Sequence, residues 1–586
     1  MANRDLDGAS TTHRPNKVIP LRQAIADHVH AGDVVHAAYT GARPSAPLFE
    51  LARRFAGKDP GLTLTGTGLA GPQTCLVELG VLRHVVASFI GENYPVARPS
   101  PAFQRALADG RVTMENWSLW TLIARLVAGG LGVPFMPVRG IQATTMAEDL
   151  AASGYVRVPD PFRGEDDPDA TVGVVSALRP DVVLMQAVAA DRFGNVVLAP
   201  PYGEAHWGAL AAQRGVIACV ERVIETEEIQ ALAPLGGIPA HLVLAVCETP
   251  MGAHPYSLFN PGVAEVQGYA EDRAAMIESA EAARTADGFR GWIDEWVLEP
   301  GSHEQYLAKL GAQRRRSLCH QAAPGYWREQ QKAATPPSGP ASRAETHVVA
   351  AGRYVAQRVA DGGYEAILAG VGQANLAAWL GADVARRGGR HVELMAEIGM
   401  IGYTPRPGEP FVFAHRNYFT SNQLADSMTV LGALVSGPRT RSMGVFGAGQ
   451  VDGEGNVNST YMDDGRFIVG SGGASDIAAG ADEVIVVTTH HPRRLRAALP
   501  YITSSGRHVR AVATDLAIYE ITPAGPVLVR LLPAAGTDTD EAIALLREQT
   551  GWDFTVSDDL VWEPEPTASE LELLRSFDPR GDFIGK

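Results

Sequence analysis

The sequence predicts an α/β protein made of two tandem related lobes, each an open, mainly parallel sheet flanked by helices. Three observations carry this reading. Strand-like runs alternate with amphipathic helical stretches, both lobes open with a strand, a glycine turn and a helix, and one short string recurs in each lobe.

In the first lobe GDVVHAAYT, from Gly32, reads as a strand and leads through Gly41-Ala42-Arg43-Pro44 into the helical pattern PLFELARRFA. In the second, YEAILAGVG, from Tyr364, leads into the amphipathic QANLAAWLGADVARRGG. The apolar runs 181–190 (DVVLMQAVAA) and 482–490 (DEVIVVTTH) read as buried strands. The repeated string is D-x-x-G-N-V, at Asp191 to Val196 and at Asp452 to Val457, each a few residues beyond an apolar strand. Residues 314–345 combine Pro, Ser, Gln and charge without an apolar period, so they are expected to form a linker. Residues 1–313 are then expected as the first lobe and 346–586 as the second.

Composition narrows the class. The 586 residues are 46% hydrophobic and 20% charged, with 62 Gly and 39 Pro, which is ordinary for a globular chain and excludes a coiled coil. A net charge of −16 opposes binding to nucleic acid or to an anionic membrane surface, while leaving room for a local basic pocket. The four cysteines, Cys75, Cys219, Cys247 and Cys319, are far apart and suit neither a disulfide framework nor a zinc site. Met1 to Pro15 has no apolar core of signal-peptide length, and Leu126 to Val138 is too short and interrupted to span a bilayer. The expectation is a cytoplasmic protein with neither nucleic-acid nor membrane partners.

The residues suited to chemistry concentrate in the second lobe. Gly370-Val371-Gly372 lies where a strand ends and a helix begins, so its amides are placed to hold an anion; it lacks the third glycine of a dinucleotide fingerprint. Glu397 follows an apolar strand, where desolvation raises a carboxylate's pKa and its nucleophilicity once ionised; from the residues alone, a glutamate in an exposed loop is the plainer alternative. Phe446 to Asp452 and Gly455 to Thr460 are dense in Gly and Asx and read first as turns. Val469 to Asp476, VGSGGASD, is a run of small residues that lets backbone approach a ligand closely, with no Walker lysine after it. His490 and His491 with Arg493, Arg494 and Arg496 read as a solvated helix start. No H-E-x-x-H supports a metal and no G-x-S-x-G supports a serine hydrolase.

At these residues the chain resembles a family I CoA-transferase of the glutaconate CoA-transferase type, with α and β subunits fused. The β-type marks are AEIGMIGYTPRPGEPFVF (396–413), GAGQVDGEGNVNST (447–460), VGSGGASDIAAGADEV (469–484) and YITSSG (501–506). The α-type marks are GVPFMPVRG (132–140), RPDVVLMQAVAADRFGNV (179–196), GAHPYSL (252–258) and GFRGWIDEWV (288–297). The resemblance implies two NagB/RpiA-like lobes and assigns the nucleophile to Glu397. It matches Gly472 and Gly473 to an oxyanion loop, and Val371 and Gly372 to a second backbone site facing the acyl carbonyl. Gly370 and Gln450 join these as candidate CoA-binding residues, and Asn422 corresponds to an asparagine that touches the reacting carbonyl. It further implies coenzyme A as acyl-CoA substrate, a small carboxylic acid as second substrate, no permanently bound cofactor and a homo-oligomer. A thioester or ring-opening hydrolase using Glu115, and a ligand sensor without catalysis, are the competing readings. Arg416 and Arg139 are the candidate cations for the acyl pocket.

Overall fold

The computed structural model describes residues 15–92, 94, 96–164, 170–333 and 337–585. Residues 1–14, which carry most of the stretch expected to lack a leader, lie outside the described residues.

The first sheet grows from strand Val34–Ala38, whose helix Ser45–Phe55 buries Leu48, Leu51, Ala52 and Phe55 beneath it. On one side lie Leu62–Ala70, Leu82–Gly91 and Thr113–Asn116; on the other lie Val182–Asp191, Gly215–Ile224 and Val243–Glu248. All of these pair in parallel. Every residue of Val182–Asp191 is buried, as a continuous apolar run requires when a parallel strand is covered on both faces.

The second sheet repeats the plan. Ala366–Ala369 is central, Glu393–Ala396 flanks it on one side, and Ser442–Gly447, Glu483–Val487 and Val509–Ala513 follow on the other, all parallel. In both lobes the first strand is therefore central, with the second to one side and the later strands in turn on the other. The lobes differ at the edges. The first sheet adds parallel strands beyond Leu62–Ala70, whereas the second adds antiparallel Met400–Tyr403 and Gln423–Leu424.

The repeated string has one structure in both places. Asp191 Oδ1 accepts from the Phe193 and Asn195 amides, and Asn195 Nδ2 donates to Asp191 Oδ2 at 2.7 Å. Asp452 Oδ1 likewise accepts from the Glu454 and Asn456 amides, with Asn456 Nδ2 donating to Asp452 Oδ2 at 3.0 Å. Each string follows the strand next to the central one, so sequence repeat and topological repeat coincide.

The segment expected as a linker is more ordered than its composition suggests. It contains helices Ala312–Gln321 and Tyr326–Ala333, and helix Arg343–Gly362 begins inside it behind a Ser342/Glu345 capping box. The first of these buries only Leu318 and the second buries nothing, so surface helices with almost no apolar face leave no period to read. The apolar stretch from Leu126 splits between the end of helix Leu119–Leu131 and strand Phe135–Val138; no helix of the described residues is long and apolar enough to cross a membrane.

Candidate active site

In a parallel α/β sheet, the turns on either side of the point where strand order reverses splay apart and leave a crevice at the strands' carboxyl ends. Here the two sheets bring those crevices together. In the second lobe Ala366–Ala369 runs into Gly370-Val371-Gly372 and Ser442–Gly447 into Ala448-Gly449; in the first, Val34–Ala38 runs into Tyr39, Thr40, Gly41 and Arg43. All of these line one cavity of ≈ 620 Å³. Gly372, at φ 109°, has a conformation that side-chain-bearing residues rarely adopt, and a Cβ there would meet nothing within 4 Å.

Glu397 follows strand Glu393–Ala396 and opens on this cavity. The backbone of Gly473 lies against the Glu397 carboxylate, where its N–H favours the ionised form. The approach is so close that a Cβ on Gly473 would lie 2.1 Å from Glu397 Oε2, which explains the glycine there. Burial pushes the Glu397 carboxyl up to about 7; the charge of Asp476 adds to the rise and the Gly473 N–H opposes it. Asp476, at the start of helix Ala474–Gly480, is itself pushed up to about 7 by burial.

The glycine loop belongs to the second lobe in sequence but is held by the first. Ile90 N donates to Val469 O at 2.9 Å, Gly472 N to Ser88 O at 3.0 Å, and Leu119 N to Gly472 O at 2.9 Å. Ser118 Oγ donates to Asp476 Oδ1 at 2.6 Å, Trp120 N to Asp476 Oδ2 at 2.8 Å, and Ser475 Oγ to Gly140 O at 2.8 Å. Gly140 closes the GVPFMPVRG string, so an α-type mark and a β-type mark meet at the loop beside Glu397.

Of the residues singled out in sequence, Glu397, Gly370, Val371, Gly372, Gly472 and Gly473 all line the cavity. Three do not. Asn422 is exposed and donates to Glu393 Oε1 at 3.3 Å, because the antiparallel pair Met400–Tyr403 and Gln423–Leu424 turns it outward. Gln450 is buried in the hairpin it makes with Asn458, accepting from Asn458 Nδ2 at 2.8 Å and donating to Arg493 O at 3.3 Å. Glu115 lies on the edge strand of the first sheet, where Trp117 Nε1 at 2.8 Å and Arg125 at 3.3 Å hold it; its hydrogen bonds to His84 and Trp117 and the Arg125 charge outweigh burial and bring it down to about 2. Arg139 is exposed and Arg416 is tied to Pro407 O and Gln330, so neither reaches the cavity. His490 does not start a helix; it is buried against Asp515, Thr514 and Thr550, while Arg494 reaches the cavity and donates to Ala448 O at 2.8 Å.

The first lobe contributes groups that carry no motif. Arg43 lies over the ring of Tyr39 at 5.0 Å and that of Tyr256 at 4.5 Å, forms no ion pair among the described residues, and leaves Nη1 without a hydrogen-bond partner. Two acids face the same space: burial pushes Glu204 up to about 8 and Glu271 up to about 7. The one signal for Arg43 is its position, since the turn after the first strand in one lobe is the counterpart of Gly370–Gly372 in the other. Among the described residues, no three or more His, Cys, Asp or Glu form a group that could hold a metal.

The coenzyme A transferase family model matches residues 19–246. One of the glutaconate CoA-transferase subunits of Acidaminococcus fermentans is 30% identical over 323 residues, covering 51% of this chain and 93% of its own length. The chain belongs to the family I CoA-transferases. Both subunits of the 3-oxoadipate CoA-transferase of Pseudomonas knackmussii are matched as well. The first is 27% identical over 304 residues, 50% of this chain and 98% of its own; the second is 30% identical over 157 residues, 24% of this chain and 59% of its own. In fold, this CoA-transferase is similar to the acyl-CoA transferase of Escherichia coli O157:H7, with a TM-score of 0.64 at 15% identity over 94% of this chain and 97% of that one.

Proposed function

We propose that this enzyme moves CoA from an acyl-CoA donor to a free carboxylic acid through a glutamyl-CoA thioester on Glu397. The observation that carries the reading is the Glu397 carboxylate at the cavity, packed against Gly473 and flanked in the same cavity by the Gly370–Gly372 turn.

The chemistry balances as two exchanges. Ionised Glu397 attacks the donor thioester carbonyl; the C–S bond breaks, giving an acyl-glutamyl anhydride and CoA thiolate. The thiolate then attacks the glutamyl carbonyl, the anhydride C–O bond breaks, and the donor leaves as its carboxylate. The acceptor carboxylate runs the two exchanges in reverse and leaves as acyl-CoA. Each step passes through a tetrahedral oxyanion, and a well-placed backbone donor contributes about 3–4 kcal/mol to such a state. The Gly473 N–H, beside the resting carboxylate, is assigned to the oxyanion on the glutamyl carbon. Val371 and Gly372 are assigned to the oxyanion on the acyl carbon. Covalent storage of CoA makes the kinetics ping-pong.

Residue placement favours this over hydrolysis by Glu115, which is ion-paired and outside the cavity lining. Matched relatives named for glutaconate and 3-oxoadipate suggest an acid with a second carboxylate, and Arg43 is the cation assigned to receive it. Burial keeps Glu204 mostly protonated near neutral pH and Glu271 only partly ionised, so they offset the Arg43 charge only in part. The decisive experiment is intact-protein mass spectrometry with donor and no acceptor. The expected result is an adduct of CoA less water on Glu397, discharged by added acid; release of free CoA with no adduct would refute the reading.

A further inference from the structure

One wall of the cavity comes from a part of the chain that no motif marks. After helix Ala568–Phe577, residues 578–585 fold back as a tight loop organised by the Asp578 carboxylate. It accepts from the amides of Asp582 at 2.7 Å, Phe583 at 2.8 Å and Ile584 at 3.1 Å. The loop is fastened from both lobes. Arg580 donates to Gly408 O at 3.0 Å and Glu409 Oε2 at 2.9 Å, and the same Glu409 oxygen accepts from the hydroxyl of Tyr94 in the first lobe. Asp582 pairs with Arg273, also of the first lobe. Gln373, which opens the helix behind the Gly370–Gly372 turn, donates Nε2 to Phe583 O at 3.3 Å.

The one residue of this loop that lines the cavity is Phe583. It is 6% exposed and belongs to an apolar cluster against which Val96, Val371 and Phe413 pack. Phe411 and Phe413 meet edge to face at 5.4 Å and also line the cavity, so an aromatic bay stands beside the turn assigned to the acyl carbonyl. We propose that Phe583 is a specificity-determining residue: held at fixed depth by fastenings from both lobes, it closes the acyl bay and limits the length and bulk of the apolar part of the acyl group. The inference rests on the transferase reading for which group enters the bay, and not for the existence of the wall.

Shortening the side chain lengthens the bay. Each additional methylene that then finds apolar surroundings gains about fourfold in kcat/KM, the equivalent of ~0.8 kcal/mol. The test measures kcat/KM for straight-chain acyl-CoA donors of increasing length with one acceptor acid, in wild type, Phe583→Leu and Phe583→Ala. The ratio of longer to shorter donors is expected to rise at least ~10-fold in Phe583→Ala, with Phe583→Leu between and free CoA binding unchanged. Arg273→Ala, which releases the loop on the first-lobe side, is expected to relax selectivity in the same direction. An unchanged ratio, or an equal loss on every donor together with weaker free CoA binding, overturns the proposal. Calorimetric binding of the same donors to Glu397→Gln, with and without Phe583→Ala, reads chain-length preference without turnover. If wild type forms no CoA adduct while this preference still shifts, the transferase reading fails and the wall stands.

Discussion

The turns after the first strand of the two lobes occupy one place in a duplicated fold and offer opposite chemistry. In the second lobe the turn is Gly370-Val371-Gly372, bare enough for backbone amides to face a reacting carbonyl. In the first lobe it is Tyr39 to Arg43, which presents side chains: a guanidinium 5.0 Å from one tyrosine ring and 4.5 Å from another. Duplication preserved position and left chemistry free to diverge, because function resides in the site and not in the fold. The proposed division has the second lobe react while the first recognises substrate and holds the glycine loop in place.

The largest expected effect breaks the reactive side. Glu397→Gln replaces the proposed nucleophile with a neutral amide and is expected to abolish both the CoA adduct and transfer, with the fold retained by circular dichroism. Glu397→Asp draws the carboxylate back by one methylene, about an ångström, and is expected to cost at least ~100-fold in kcat. Transfer that survives Glu397→Gln but not Glu115→Gln would move the chemistry to the first lobe. The division of labour also predicts that residues 346–586 expressed alone transfer no CoA. Without Ser88, Ser118, Leu119 and Trp120 the loop that carries Gly473 and Asp476 loses its cross-lobe hydrogen bonds. Activity in that fragment would show the first lobe to be dispensable.

What is legible in the sequence follows the same line. Parallel strands leave continuous apolar runs, and glycine turns leave a visible composition, so the α/β class, the repeat and the backbone-lined side of the cavity can be read directly. Glu397 is legible through the family resemblance, since a carboxylate after an apolar strand reads equally as a loop residue. Arg43 is not, because its role comes from Tyr256, more than two hundred residues away, and in sequence it is one arginine in a turn. Phe583 is hidden for the same reason: the loop that carries it is fastened through Arg580 to Glu409 and through Asp582 to Arg273, contacts between distant segments. Asn422 and Gln450 are misplaced because motif spacing does not record which way an antiparallel edge or a hairpin turns a side chain.

Two substitutions sharpen the comparison. Gly473→Val places a branched side chain where even a Cβ would lie 2.1 Å from Glu397 Oε2, so it must displace either the carboxylate or the loop. At least ~100-fold loss of turnover and a parallel loss of the CoA adduct are expected, without loss of folded protein. Near-normal kinetics would make the loop structural only. Arg43→Ala tests the recognition side: discrimination between a dicarboxylic acid and a monocarboxylic acid of equal length should fall about 10-fold or more, chiefly through KM, while the monocarboxylic acid is little affected. Equal losses on both acids would show that Arg43 supports the fold and does not read substrate.

The smallest effect concerns Asp476, where the two lobes' contributions meet at the nucleophile. In the proposed mechanism Glu397 attacks only when ionised, and its carboxyl is held up at about 7, so kcat/KM should rise with pH through about 7 in the free enzyme. Asp476→Asn removes the like charge; its one carbonyl oxygen can still accept from the Trp120 N–H, and its amide N–H can donate to the Ser118 hydroxyl, so the acid limb should move down by about one pH unit. The same groups fix the sign for stability. Folded Glu397 stays protonated above its ordinary value of 4.5 and folded Asp476 above its ordinary value of 3.8. Their contribution is therefore full below the unfolded values and is lost as pH rises through about 7. Buried His36 and His415 act oppositely, but with folded values near 4 against an ordinary value of 6.5 their effect fades above that pH. Between about pH 6.5 and 8, where Glu204 and Glu271 titrate in the same sense, calorimetry should find the wild-type Tm falling, and Asp476→Asn falling less, because one of these buried acids is removed. Coincident kcat/KM limbs for wild type and Asp476→Asn would show that the Asp476 charge does not act on Glu397, leaving burial alone to raise the nucleophile's pKa.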